Sequence, residues 1–175
     1  RAMPSMDAAS SRALAYGDTR GYRPLRTAIA AHLRSARGMN CTEDHIVVCA
    51  GAHQAMSIAA RLLINPGDSA WVENPGYAGG RALLAAHGAR VVPVPVDEQR
   101  IDVDEGVRIA PAARVALVTP ARQVPLGVAM SAARREALLA WAARSGSWIL
   151  EDDYDSEVLY ASRPLAPLHA LDRKG

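Results

Sequence analysis

Five carboxylates and a tyrosine crowd into residues 151–157 (EDDYDSE), directly after the apolar run Trp148-Ile149-Leu150. The run reads as a short buried strand, and in open α/β sheets ligands bind just beyond the carboxyl ends of strands. Asp152 and Tyr154 are therefore placed at the floor of a site. A carboxylate buried there requires a cationic or hydrogen-bonding partner, because desolvating it alone is costly. By itself the motif fits a ligand pocket, a magnesium site built on clustered carboxylates, or a solvated acidic loop.

Three further segments carry ligand-binding character. At Ala50-Gly51-Ala52-His53-Gln54 a strand feeds a helix through small residues, which leaves backbone N–H groups free to cradle a phosphate. The competing reading is plain turn geometry. Glu73-Asn74-Pro75-Gly76-Tyr77 is a turn after a strand that presents Tyr77 either as a stacking face for a planar ligand or as a cover for the next helix. The long loop from Thr119 to Gly127 holds Gln123, at once donor and acceptor, or is an ordinary surface crossover. Donors, an aromatic, an amide and a carboxylate with a phenol at four successive strand ends say more together than any one says alone.

Strands alternating with helices must position these groups. Pro24 opens a helix in which Leu25, Ile29 and Leu33 repeat at helical spacing up to Gly38. The continuous apolar run 46–50 reads as a fully buried strand, and a helix through Met56, Ile58, Leu62 and Leu63 follows it to the turn at Asn65-Pro66-Gly67-Asp68. Strand 70–72, helix 79–87, a proline-interrupted strand 90–96 near a sheet edge, and strand 115–118 come next. Ser131 caps a helix to Ser145, with Leu138, Leu139 and Trp141 inward and Arg134, Arg135 and Glu136 outward. Gly146 closes it before strand 148–150. The fold class this implies is α/β: a three-layer αβα arrangement with a mostly parallel sheet.

Composition bounds the function. With 175 residues, 50% hydrophobic and 22% charged, the chain has a globular balance and length enough for a core. A net charge of +2 gives no electrostatic ground for nucleic-acid binding, and no apolar run approaches a membrane span. Cys41 and Cys49 lack partners at zinc-like spacing and read as reduced thiols of a cytoplasmic protein. Among 20 basic side chains the single lysine is Lys174, so no lysine is expected deep in a pocket. No GxGxxG follows the strand at 46–50, against a dinucleotide site, and no glycine-rich loop ending in Lys-Ser or Lys-Thr supports a phosphotransferase. A start at Arg1 and an end in Asp172-Arg173-Lys174-Gly175 suggest a fragment.

The segments GYRPLRTAIAAHL, AGAHQAM, WVENPGY, TPARQVPLG and ILEDDYDSE resemble the aminotransferase-like domain of fold type I pyridoxal-phosphate proteins. The acidic motif is most similar to the MocR-type branch of the GntR transcriptional regulators, in which that domain is fused to a DNA-binding winged helix. The resemblance runs from about Tyr16 onward and implies an N-terminal arm over 1–22 and a partial large domain over 23–175. It also implies pyridoxal 5'-phosphate as cofactor, with Asp152 pairing the pyridine nitrogen and Tyr154 bonding the phenolic oxygen of the ring. Tyr77 would stack on the ring, Gln123 would lie near its oxygen edge, and the backbone of Gly51, Ala52 and His53 would hold the phosphate. Tyr16 would reach that phosphate from the other subunit of a homodimer. Glu151, Asp153, Asp155 and Glu157 are left as structural or loop-ordering residues.

The chain also departs from that family. A Ser-His-Gln-Phe-Pro-Thr-Gly loop is replaced by Ala121-Arg122-Gln123-Val124-Pro125-Leu126-Gly127, and His53 stands where glutamine is common. Gly79 occupies the place of a substrate-binding arginine in some relatives. The Schiff-base lysine belongs to a Thr-x-Ser-Lys segment that would lie beyond Gly175, and Lys174 does not match it, so no catalytic residue is assigned. The implied function is an effector domain that binds pyridoxal phosphate and a small amino compound within a transcriptional regulator, reaching DNA only through a winged helix outside this chain. The alternative is an aminotransferase acting between an amino acid and a 2-oxo acid.

Overall fold

A computed structural model describes residues 16–156 and 166–172. Most of the expected arm, Glu157 and Lys174 lie outside them. The chain divides into two compact units between Cys49 and Ala50.

The first unit is built on helix α1, Arg23–Arg37. Proline at its first turn fixes φ without losing a helical hydrogen bond, and Gly38 ends it in the left-handed region, φ 68°. Arg26, only 1% exposed, donates to the carbonyls of Gly21 and Glu43 and to Asp18 at 2.7 Å. Residues 46–50 do not form the buried strand that their apolar run suggests. No strand among the described residues pairs with them, and Val47 and Val48 are exposed. A continuous apolar run marks a buried strand only where a ladder partner covers it; here the Val48 amide bonds the Arg20 carbonyl instead.

The second unit holds a five-stranded sheet: β1 Ser69–Asn74, β2 Arg90–Asp97, β3 Arg100–Ile101, β4 Val115–Val118 and β5 Trp148–Glu151. Its order is β3-β2-β1-β4-β5, parallel except for β3. Four helices cover it: α2 Ala52–Leu63, α3 Ala78–Ala86, α4 Val103–Ile109 and α5 Ala132–Ser145. The short α6, Leu168–Leu171, lies further on. The sequence patterns did not foresee β3 or α4.

Alternation along the strands sends side chains to two cores. Ala70, Val72, Val115 and Leu117 pack with Met56 and Ala60 of α2 and Leu84 of α3. Trp71, Ala116 and Val118 pack on the opposite face with Val103 of α4 and Leu138 and Trp141 of α5. The expected three-layer αβα architecture is therefore present. Trp71 and Trp141 stack with centroids 3.9 Å apart, and the Trp71 indole donates to the Ala110 carbonyl.

Two expectations are corrected here. Arg135 is buried rather than outward, because its guanidinium donates to three carbonyls, those of Met130, Pro120 and Ala166. Strand β5 is an edge strand among the described residues, paired only with β4, so Trp148 is 52% exposed rather than buried.

Candidate functional site

Strand β1 has β2 on one side and β4 on the other. The chain leaves β1 toward one edge and later returns to its other side, which opens a crevice at the carboxyl ends of β1 and β4. Tyr77, Asp152 and the start of α2 line clefts around this crevice.

Beyond β1, the Asn74–Pro75 peptide is cis and Gly76 turns the chain so tightly that a Cβ there would collide with the Glu73 carbonyl oxygen. That turn delivers Tyr77 to the start of α3. The Tyr77 ring lies against Gly79 and Gly80 of the same helix, and it also lines a small cavity with Val72, Glu73, Leu117, Thr119 and Asp152. It thus covers the helix start while facing the crevice.

Beyond β5, the Asp152 amide donates to the Val118 carbonyl at 2.9 Å, which continues the β4–β5 pairing by one residue and fixes where its side chain emerges. The half-buried carboxyl has its pKa raised, first by burial and then by the Asp153 charge; the Tyr154 amide and His53 oppose this. No arginine, lysine or histidine of the described residues lies within ion-pair distance of it. Burial likewise pushes the neighbouring Tyr154 phenol up. Asp152 also lines a second cleft of about 250 Å³, with Ala52, Ala55, Met56, Leu117 and Leu150.

The N-terminus of α2 joins this cleft through Ala52. Gly51 caps the helix with extended backbone and no side-chain cap bond, and no acidic residue occupies the first turn. A Cβ built on Gly51 would meet nothing within 4 Å, so there is open space beside the helix start. Such a terminus, bearing free N–H groups and the positive end of a 12-residue helix, suits an anion. His53, on the same turn, bonds the Tyr77 hydroxyl through Nε2.

Gln123 is placed differently from the others. It is 1% exposed, its amide nitrogen donates to the Pro75 carbonyl at 2.6 Å, and its oxygen accepts from the Leu126 amide. Its side chain is engaged in tying the loop after β4 to the turn after β1. Of the remaining acidic residues, Glu151 accepts from the Leu168 amide at the start of α6, and Asp153 accepts from the Ser156 hydroxyl. Tyr16, in the first unit, is fully exposed. Among the described residues no three His, Cys, Asp or Glu side chains gather as metal ligands, and no helix is long and apolar enough to cross a membrane.

The sequence patterns missed Glu73 and Arg100. Glu73 is 6% exposed, and burial raises its pKa against the opposing bonds from Thr119. Its Oε2 accepts from the Thr119 hydroxyl at 2.6 Å and amide at 3.2 Å, whereas Oε1 has no hydrogen-bond partner within 3.5 Å among the described residues. Arg100, with φ 102° and a buried guanidinium, exerts an opposite charge on Glu73. Glu73 carries only a weak local signal, since it follows the apolar run Ala70-Trp71-Val72 and its partner Thr119 lies 46 residues away.

Known proteins resemble this chain in sequence and fold. The chain is 39% identical to a probable rhizopine catabolism regulatory protein, MocR, of Rhizobium meliloti, over 89% of this chain and 31% of the relative. It is 38% identical to the pyridoxine biosynthesis transcriptional regulator PdxR of Corynebacterium glutamicum, over 86% and 32%. The chain thus spans about a third of the length of these regulators. Among solved structures, the kynurenine aminotransferase of Pyrococcus horikoshii superposes with a TM-score of 0.87 at 29% identity, covering 97% of this chain and 44% of that one. The family model for aminotransferase class I and II matches residues 1–169. With the switch-point crevice, the open helix terminus and the raised Asp152 carboxyl in the same unit, the chain belongs to the aminotransferase class I and II family.

Proposed function

We propose that this chain forms the cofactor-binding part of an aminotransferase-like effector domain that holds pyridoxal 5'-phosphate within a homodimeric transcriptional regulator. The observation that carries this reading is Asp152: a half-buried carboxyl at the end of β5, its pKa raised by burial, with no arginine, lysine or histidine of the described residues within ion-pair distance. A protonated ring nitrogen is the partner it lacks, and pairing with that nitrogen would return the carboxyl to its charged form.

The other residues fit the same ligand. The amides of Gly51, Ala52 and His53 would receive a phosphate at the uncapped start of α2. Tyr77 would face the ring and Tyr154 would offer its hydroxyl to a ring oxygen. Gln123 supports them by holding the turn after β1 to the loop after β4. Pyridoxal phosphate, when bound, supplies a protonated pyridine ring that withdraws electrons from a carbon attached to it. Asp152 would keep the ring nitrogen protonated, and Val72 and Leu117 would offer the ring an apolar surface.

The likeness to MocR and PdxR supports the regulator reading: a small amino compound would bind beside the cofactor and alter DNA binding through a winged helix outside this chain. The kynurenine aminotransferase likeness supports a second reading, transfer of an amino group between an amino acid and a 2-oxo acid. The two separate on one experiment with the full-length protein loaded with pyridoxal phosphate and given a panel of amino acids and amines. The regulator reading expects an amino compound to change DNA affinity without accumulation of a 2-oxo acid. Steady production of a 2-oxo acid with no effect on DNA binding would replace it with the enzyme reading.

A further inference from the structure

We propose that His53 is a positioning residue that sets the tilt of the Tyr77 ring, and that Gly79 lacks a side chain so that the two can meet. This rests on the proposed cofactor site and adds to it a determinant in its second element. His53 lies in the first turn of α2, and Tyr77 immediately precedes α3. Nε2 of the imidazole and Oη of the phenol are hydrogen-bonded, and the rings meet edge-on, with centroids 5.8 Å apart and planes at 67°. A tyrosine used as a stacking face needs its ring plane fixed. A tether at Oη, the atom farthest from the backbone, restricts that plane more than packing near Cβ does.

Gly79 shows what the tether requires. A Cβ there would stand 2.6 Å from Tyr77 Oη, 2.7 Å from Cζ and 2.9 Å from His53 Nε2. Any side chain at 79 would therefore strike both partners at the point where they bond. Backbone conformation does not explain the glycine, since Gly79 is absent from the residues with positive φ. Glycine is also a poor helix former. Gly80 acts on the same ring: a Cβ there would meet Leu117 Cδ2 at 2.5 Å and Tyr77 Cδ1 at 3.1 Å. The phenol end is bounded by Gly79 and His53, and the Cδ1 edge by Gly80. The two departures from the family pattern, histidine at 53 and glycine at 79, are thus one feature. The imidazole is also close enough to Asp152 to favour its charged form, so the tether stands beside the carboxyl proposed to hold the ring.

The test uses the full chain with pyridoxal 5'-phosphate as the probe. Two readouts are followed: the dissociation constant and the circular dichroism induced in the cofactor band, which reports a fixed ring orientation. Tyr77→Phe keeps the ring and removes only Oη, so it guards against a folding defect. Tyr77→Phe and His53→Ala should each weaken binding roughly five-fold, the scale of one hydrogen bond, and reduce the induced signal. The double variant should be no weaker than either single one, because both remove the same bond. His53→Gln, which can donate to Oη, should restore most of the signal, and Gly79→Ala should reproduce the loss. Additive effects of the two single variants, or an unchanged induced signal in His53→Ala, would overturn the positioning role alone. A parent protein that binds no pyridoxal phosphate would instead overturn the proposed function, and this role with it.

Discussion

Thr119 donates its hydroxyl to Glu73 at 2.6 Å, and its amide points to the same oxygen. That pair joins the carboxyl ends of β1 and β4, the two strands between which the crevice opens. One carboxyl oxygen thus fastens the walls of the site, while the other is buried without a hydrogen-bond partner among the described residues.

The Glu73–Thr119 bond gives a stability prediction with a defined sign. Burial raises the folded pKa of Glu73 above the ordinary glutamate value of 4.5. Stability from this group is therefore fully present below about pH 4.5 and declines as pH rises through the folded value. Glu73→Gln stays neutral and removes the decline, so urea midpoints of parent and variant should diverge in the variant's favour with rising pH. Parallel pH profiles would show that Glu73 does not titrate abnormally. Thr119→Val, which strips the hydroxyl donor from a buried acceptor, should cost about 1–3 kcal/mol in the same measurement.

Gly106 is where α4 meets the sheet. A Cβ there would lie 2.8–2.9 Å from three atoms of the Trp71 six-membered ring, itself fully buried and stacked on Trp141. Rigid aromatic neighbours cannot yield cheaply, so Gly106→Ala should destabilise by about 1–3 kcal/mol. The change should appear as a lower urea midpoint with an altered tryptophan emission of the folded state. A variant as stable as the parent would mean that α4 can slide on Trp71.

Arg135 should be intolerant of substitution despite its place on a helix. Its guanidinium satisfies the carbonyls of Met130, Pro120 and Ala166, and Arg135→Met would leave these acceptors without that donor. A loss of about 3 kcal/mol is expected, measured by chemical denaturation. A loss under about 0.5 kcal/mol, the level of ordinary surface positions, would contradict the burial described for it.

Much of the second unit was legible in the sequence because its signals are local. Trp71 and Val72, Val115–Val118 and Leu138 with Trp141 declare their elements by period and apolar content, and Ser131 and Gly146 cap α5 as read. What escaped depends on partners distant in the chain. Among the described residues, 46–50 look like a buried strand but have no ladder partner, Trp148 sits at an edge that only the strand order reveals, and Arg135 is buried because three carbonyls converge on it. For the site, Asp152 and Tyr77 were visible as polar groups at strand ends. Glu73 was hidden beside Tyr77 because its significance lies in Thr119, 46 residues away. The link between His53 and Gly79 was invisible, since it exists only through the ring of Tyr77.

The most direct measurement is an equilibrium titration of the chain with pyridoxal 5'-phosphate, comparing the parent with Asp152→Asn and with Asp153→Asn as a charge-matched control. If Asp152 is the partner of the ring nitrogen, the parent binds, Asp152→Asn weakens binding at least about ten-fold, the scale of a lost charge-assisted hydrogen bond, and Asp153→Asn changes it far less. Equal affinities for the parent and Asp152→Asn, or equal losses in the two variants, would contradict the placement of the cofactor at the end of β5.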